Sequence, residues 1–220
     1  MYKKKGNGSI GSLEGRNLII VDYEITNEPV LHKSVKRLPS RVRKQIEQLH
    51  EAISSKPAEA IPSLLKLIEK YPQVPVLDNY LTAAYRLTGQ EEKADSLTLE
   101  SYKRHPDYLF SKIDYAFYCL QQGDPYKIPE IFDHKLELRL LYPDRRKFHI
   151  SEFMSFMGIM ALYNNAIGER KTAIKYYEII KQVDPSYDLV RVLKSVLYPP
   201  LLVRLLRKIV KIPAGGVKFK

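Results

Sequence analysis

Apolar residues recur along most of this chain at helical rather than strand spacing. Over 75–88, Val76, Leu77, Tyr80, Leu81, Ala84, Tyr85 and Leu87 fall at i, i+3/i+4 and i+7 intervals, which places them on one face of a helix. Residues 92–104 repeat the pattern with Ala94, Leu97, Leu99 and Tyr102, and 170–183 with Ala173, Ile174, Tyr177, Ile179, Ile180 and Val183. Residues 152–167 differ. Phe153, Met154, Phe156, Met157, Met160, Ala161 and Leu162 leave almost no polar side, so this helix is predicted to be covered from two directions. The helical body is predicted to start at 40. Before it, 1–16 is polar and glycine-containing, 17–25 reads as a short strand or extended segment, and 1–39 as a whole reads as a poorly structured basic arm.

The breaks between these runs come at a fixed interval. Pro72 and Pro106 lie 34 residues apart, as do Ala60 and Ala94, and as do Gly89 and Gly123. Gly89 stands 5 before Ala94, Gly168 stands 5 before Ala173, and Ala60, Ala94 and Ala173 each precede a proline by 12. A glycine ends a helix in left-handed geometry, a small residue lets two helices approach, and a proline biases the residue before it away from the helix. A helical hairpin of this kind cannot bury both faces alone, so neighbours are expected to stack.

This grammar resembles the tetratricopeptide repeat (TPR) family. The block 154–187 carries Met160, Ala161, Gly168, Ala173, Tyr177, Ile180 and Pro185 at the family's signature offsets, and departs at Asn164, where the family favours Tyr. The block 75–108 matches at Leu81, Tyr85, Gly89, Ala94 and Pro106 and departs at Asp78, Thr98 and Ser101. The block from 109 keeps Ala116 and Gly123, but has Pro125 and Pro129 near its second helix start and a late Pro143. The block ending at Pro72 keeps Ala60, Leu64 and Leu67 behind a weak first helix. The fold class expected from the resemblance is all-α: a right-handed superhelical solenoid of about four TPR-like hairpins over 40–187. Residues 188–220 are expected to add C-terminal capping and amphipathic helices and a basic tail.

Charge changes the picture only at the ends. The formal net charge is +11, but 1–40 carries 7 Lys+Arg and 4 Asp+Glu, 41–187 carries 21 and 20, and 188–220 carries 8 and 1. Arg204, Arg207, Lys208 and Lys211 fall at i, i+3, i+4 and i+7 of an amphipathic stretch, a basic face suited to an anionic membrane surface, nucleic acid or a partner protein. The apolar run behind Lys3-Lys4-Lys5 is only Leu18–Val21, short of a signal peptide, and no stretch reaches the length of a membrane span. The chain therefore reads as cytoplasmic. A single cysteine, Cys119, excludes an internal disulfide and a multi-thiolate zinc site.

Candidate chemistry is sparse. Phosphate-loop, dinucleotide, nucleophile-elbow and zincin motifs are all absent, and the five histidines have no metal-ligand spacing. His149 with Glu152 can be drawn as an acid–base pair, but helical surfaces produce such pairs routinely. His105 reads as a surface loop residue, and Asp144 as a cap for the helix that follows. No enzyme, cofactor or metal is expected.

What the resemblance implies is a concave groove lined by the first helix of each repeat. It places Val76, Asn79, Ala83 and Arg86 there, then Phe110, Ile113, Phe117 and Gln121, then Ser155, Gly158, Leu162 and Asn165. The Lys/Asn/Arg clamp with which some members hold a C-terminal carboxylate is not evident, since Gln45 and Leu49 occupy the early positions. The expected function is a non-catalytic protein-interaction scaffold or adaptor, chaperone-like in its narrower form, that binds a peptide in this groove. The groove's apolar residues have a second reading, in which Phe110, Ile113 and Phe117 pack against a neighbouring helix or against 17–39. The alternative function is a peripheral membrane or nucleic-acid-associated protein acting through the basic C-terminal face.

Overall fold

The computed structural model describes residues 23–200, and over them the chain is all-α apart from one short strand pair. In order it forms β1 (Glu24–Thr26), α1 (Lys33–Lys36), α2 (Ser40–Ser55), α3 (Pro57–Lys70), α4 (Pro75–Leu87), α5 (Glu91–Arg104) and α6 (Leu109–Gln121). There follow α7 (Ile128–Ile131), α8 (Leu138–Leu141), β2 (Lys147–His149), α9 (Ile150–Ala166), α10 (Arg170–Val183) and α11 (Asp188–Leu197). The 1–16 segment, the 201–211 stretch and its basic residues Arg204, Arg207, Lys208 and Lys211 lie outside the described residues.

The periodic residues set the helix ends. Gly89 and Gly123 have φ of +71° and +75°. Behind each, the chain reaches back: Gln90 N–H donates to Tyr85 O and Asp124 N–H to Cys119 O, each at 2.9 Å. Pro57 and Pro75 open α3 and α4, where a missing N–H costs nothing. Tyr71, His105 and Asp184, the residues before the three spaced prolines, all leave helical geometry. The small residues Ala60, Ala84, Ala94, Ala116, Ala161 and Ala173 are all buried, so that neighbouring backbones approach closely.

Packing divides the apolar interior in two. One core, from Val35 to Ala94, joins α1–α5; the other, from Leu109 to Leu197, joins α6–α11 and includes Phe132, Phe148 and Phe156. Between them runs a polar seam. Across it, Ser101 and Ser111 hydroxyls are 2.9 Å apart and Asn79 Nδ2 donates to Asp114 Oδ2 at 3.2 Å; within the first half, Arg104 Nη2 on α5 donates to Asp78 Oδ2 on α4 at 3.0 Å. Asp78, Thr98 and Ser101, which depart from the repeat pattern, are all buried, and of these Ser101 reaches across the seam. Asn164, the departure in the later block, is buried too and returns its amide N–H to Met160 O at 2.7 Å, inside its own helix.

Several expectations change. The second half of the block from 109 is no long helix: Pro125 and Pro129 open only a 3-10 turn and the one-turn α7. Lys112 on α6 is buried and donates to Ile131 O at 2.6 Å and to Asp133 Oδ2 at 3.2 Å. That holds a turn in which Asp133 and His134 both have positive φ. Of the arm read as poorly structured, residues 24–36 hold β1 and α1. β1 pairs in parallel with β2, with Ile25 opposite Phe148, and Tyr23 meets the Phe148 ring edge-on at 5.3 Å. Helix α9 is not capped by Asp144. His149 Nδ1 accepts from Ser151 N–H and Glu152 Oε2 accepts from His149 N–H at 2.9 Å, a reciprocal cap. Arg145 grips the same Glu152 with two hydrogen bonds of 2.9 and 2.7 Å. His149 and Glu152 are thus occupied with structure. His105 lies in the loop after α5 as expected, but its ring is only 14% exposed and sits 3.1 Å from Pro72 O and 3.6 Å from Asp78 Oδ2.

Candidate functional site

Helices α4, α6, α9 and α11 surround a cleft of about 360 Å³. Helical spacing supplies its walls. Arg86 comes from the end of α4; Ile113, Asp114 and Phe117 come from one side of α6; Ser155, Gly158, Ile159 and Leu162 come from α9; Leu189 and Val192 come from α11. Most of the lining is apolar, with one cation and one carboxylate set into it.

Arg86 is the unusual group. Its guanidinium carbon lies 5.1 Å from the centre of the Phe117 ring, close enough for cation–π attraction. Its Nη2 is buried and has no hydrogen-bond partner among the described residues. A buried donor without an acceptor costs about 1–3 kcal/mol. Asp114 faces the same space and accepts from Asn79. Burial holds its carboxyl above the usual range, while Arg86 and the Asn79 hydrogen bond pull the other way. The walls carry no nucleophile beside a base. The arrangement is suited to holding an apolar group with an acceptor aimed at Arg86.

Of the residues read from sequence, Arg86, Ile113 and Phe117 come together here, along with Ser155, Gly158 and Leu162. Asn79 sits behind the cleft, orienting Asp114. Phe110, Gln121 and Asn165 are outside its walls. Phe110 instead packs beside Tyr108, 5.8 Å between ring centres, and Tyr108 in turn meets His32 at 5.3 Å. None of residues 23–39 lines the cleft. Asp114, Ile159, Leu189 and Val192 were not anticipated. Gly158 carried the missing signal: a glycine within an all-apolar helix marks close approach, and a Cβ there would stand 2.4 Å from Leu189 Cδ2.

Elsewhere, Cys119 is buried and its thiol is pushed up by burial, away from thiolate chemistry at neutral pH. Among the described residues no group of three or more His, Cys, Asp or Glu is placed to hold a metal ion, and no helix is long and apolar enough to cross a membrane. No family model matches the sequence, and neither a curated protein nor a solved structure shows detectable similarity to it.

Proposed function

We propose that the chain is a TPR-like right-handed solenoid of about four hairpins, the third of them incomplete, and that it works as a non-catalytic interaction scaffold in the cytoplasm. A short apolar segment of a partner protein enters the cleft between Phe117, Leu162 and Val192 and brings a carbonyl or carboxylate oxygen to Arg86. The observation that carries this reading is the buried Nη2 of Arg86, without a hydrogen-bond partner among the described residues, in a mostly apolar cleft. A donor kept dry and unpaired is a cost to the free protein, and a bound acceptor removes it. The cleft volume lies within the range of sites that take a few side chains.

The test is photo-crosslinking in the native cell. A photoreactive residue at Leu162 is expected to trap a partner that survives high salt and is lost in Phe117→Ala and Arg86→Met. The same residue at the exposed Leu65 serves as control. Trapping that is equal at both positions, or that disappears with salt alone, sinks the reading and favours attachment through the basic C-terminal face.

A further inference from the structure

The near-neutral sum of the helical body conceals an uneven distribution. Residues 33–71 carry nine Lys+Arg against four Asp+Glu, whereas 72–187 carry fifteen against sixteen. Helices α2 and α3 gather part of this excess around an open cleft of about 570 Å³, whose polar walls are Arg41, Gln45, Ser63, Lys66, Lys70 and Tyr71 beside the apolar Val42 and Leu67. No acid lines it. Glu69 is next to Lys70 in the chain but is not in the wall. Among the described residues Arg41, Lys66 and Lys70 join none of the ion pairs formed by other cations of the body, such as Lys56 with Glu59 or Lys147 with Glu24.

Local rules disfavour Arg41 and the Lys66–Lys70 pairing, although Lys70 by itself stands in the last turn of α3, where the helix dipole favours a cation. Arg41 lies in the first turn of α2, at the positive end of the helix dipole, and that turn has no acid and no side-chain cap. Lys66 and Lys70 are one turn apart on α3, a like-charge pair that weakens a helix. Three cations around one cleft, none of them held in an ion pair with a described residue, are consistent with an anion that compensates them. Its charge can be bounded. A phosphate group carries roughly −1.5 to −2 near neutral pH, so three cations match two phosphates better than one. Arginine presents a fork that fits phosphate oxygens and lysine a point charge, while Ser63, Gln45 and Tyr71 offer neutral hydrogen bonds.

We infer that the α2–α3 cleft is a binding site for a compact ligand bearing two or more phosphate groups, either free in solution or displayed as a lipid headgroup. The site is separate from the Arg86 cleft and stands or falls apart from it.

Calorimetric titration of the full chain with pyrophosphate, inositol hexakisphosphate and inorganic phosphate tests the inference. Both multiply phosphorylated probes are expected to bind one per chain and inorganic phosphate much more weakly. Lys66→Ala/Lys70→Ala is expected to weaken binding about tenfold or more, and Lys171→Ala/Lys175→Ala, which removes equal charge from α10 at the same spacing, less than about twofold. All four lysines are exposed, so folding is not at stake, and circular dichroism checks it. Phosphatidylcholine vesicles doped with a phosphoinositide bisphosphate, or with phosphatidylserine at matched charge, separate the two sources. Retention on the first alone assigns a headgroup, and retention on neither assigns a soluble ligand. Failure of both multiply phosphorylated probes to bind, equal loss in both double variants, or displacement by an oligonucleotide in proportion to its length overturns the inference, the last in favour of a nucleic-acid surface.

Discussion

Asn79 and Asp114 meet across the boundary between the two apolar cores, the amide of α4 donating to the carboxylate of α6 at 3.2 Å. The pair both joins the halves and fixes one wall of the Arg86 cleft. Asn79→Ala leaves the half-buried carboxylate with only the guanidinium beyond hydrogen-bond reach, at an expected cost of about 1.5–3 kcal/mol. Asn79→Ala/Asp114→Ala is expected to cost less than the sum of the single changes, with a coupling of about 1 kcal/mol or more in a double-mutant cycle by urea denaturation. Simple additivity would mean that the contact contributes nothing across the seam.

Gly158 and Leu189 make a reversible test of how α11 seats on α9. Alanine in a helix is normally better than glycine by about 1 kcal/mol. Here its Cβ would be 2.4 Å from Leu189 Cδ2 and 3.3 Å from Cγ. Gly158→Ala is therefore expected to destabilise by about 1–3 kcal/mol through overpacking. In a Leu189→Ala background the same substitution should change sign and stabilise. Hydrogen exchange over 188–197 should rise in the single variant and not with the added Gly158→Ala in the double.

Lys112 separates a carbonyl contact from an ion pair. Its ammonium serves Ile131 O within the protein and Asp133 at the surface, where the carboxylate side chain is 59% exposed. Lys112→Met strands the carbonyl and is expected to cost about 2–3 kcal/mol. Asp133→Asn, which keeps a residue tolerant of positive φ, should cost under about 1 kcal/mol because an exposed ion pair contributes little. Thermal melts of the two variants decide the point, and equal losses would show that the ion pair matters most.

Stability should fall on mild acidification. Burial holds the His105 imidazole below its ordinary range; Arg104 adds to this, while Asp78 and the Pro72 carbonyl oppose it. His32 is lowered for the same leading reason, burial, helped by Lys33, Arg145 and His105 and opposed by Glu152. Below their ordinary value of 6.5 both are more easily protonated in the unfolded chain, so protons favour unfolding and stability is lost as pH falls through that point. Asp78 acts with the opposite sign but only closer to its ordinary 3.8, since burial raises it. The urea midpoint is expected to drop between about pH 7.5 and about pH 5.5, and His32→Gln/His105→Gln should flatten the change.

The sequence was most informative where small residues, glycines and prolines recur at a fixed interval. Ala94, Gly89 and Pro106 announce a small buried contact, a helix end and a break in their own neighbourhood, and each does that. Arg86, Ile113 and Phe117 were placed on one face by the resemblance to the TPR family, and they do line one cleft. The partner of Lys112 could not be read, because Ile131 and Asp133 lie in a turn with no period. Nor could the covering of Gly158 by Leu189, since α11 shows its apolar side but not which groove it enters. The departures at Asp78, Thr98 and Ser101 were visible as exceptions. The role of Ser101, a hydroxyl contact to Ser111 across the boundary of two cores, needed both sides of that boundary to be seen at once.

The parallel pairing of Glu24 with Lys147 has a temporal side. These partners are 123 residues apart in the chain, so the pairing cannot form until Lys147 has been synthesised. During synthesis at roughly 5–20 residues per second, the first strand waits on the order of 6–25 s with its edge unpaired. The helices that follow it belong to the first core, yet Tyr23 and Ile25 pack into the second. The earliest described residues to leave the ribosome are thus among the last to be secured, and securing them binds the two halves of the molecule together.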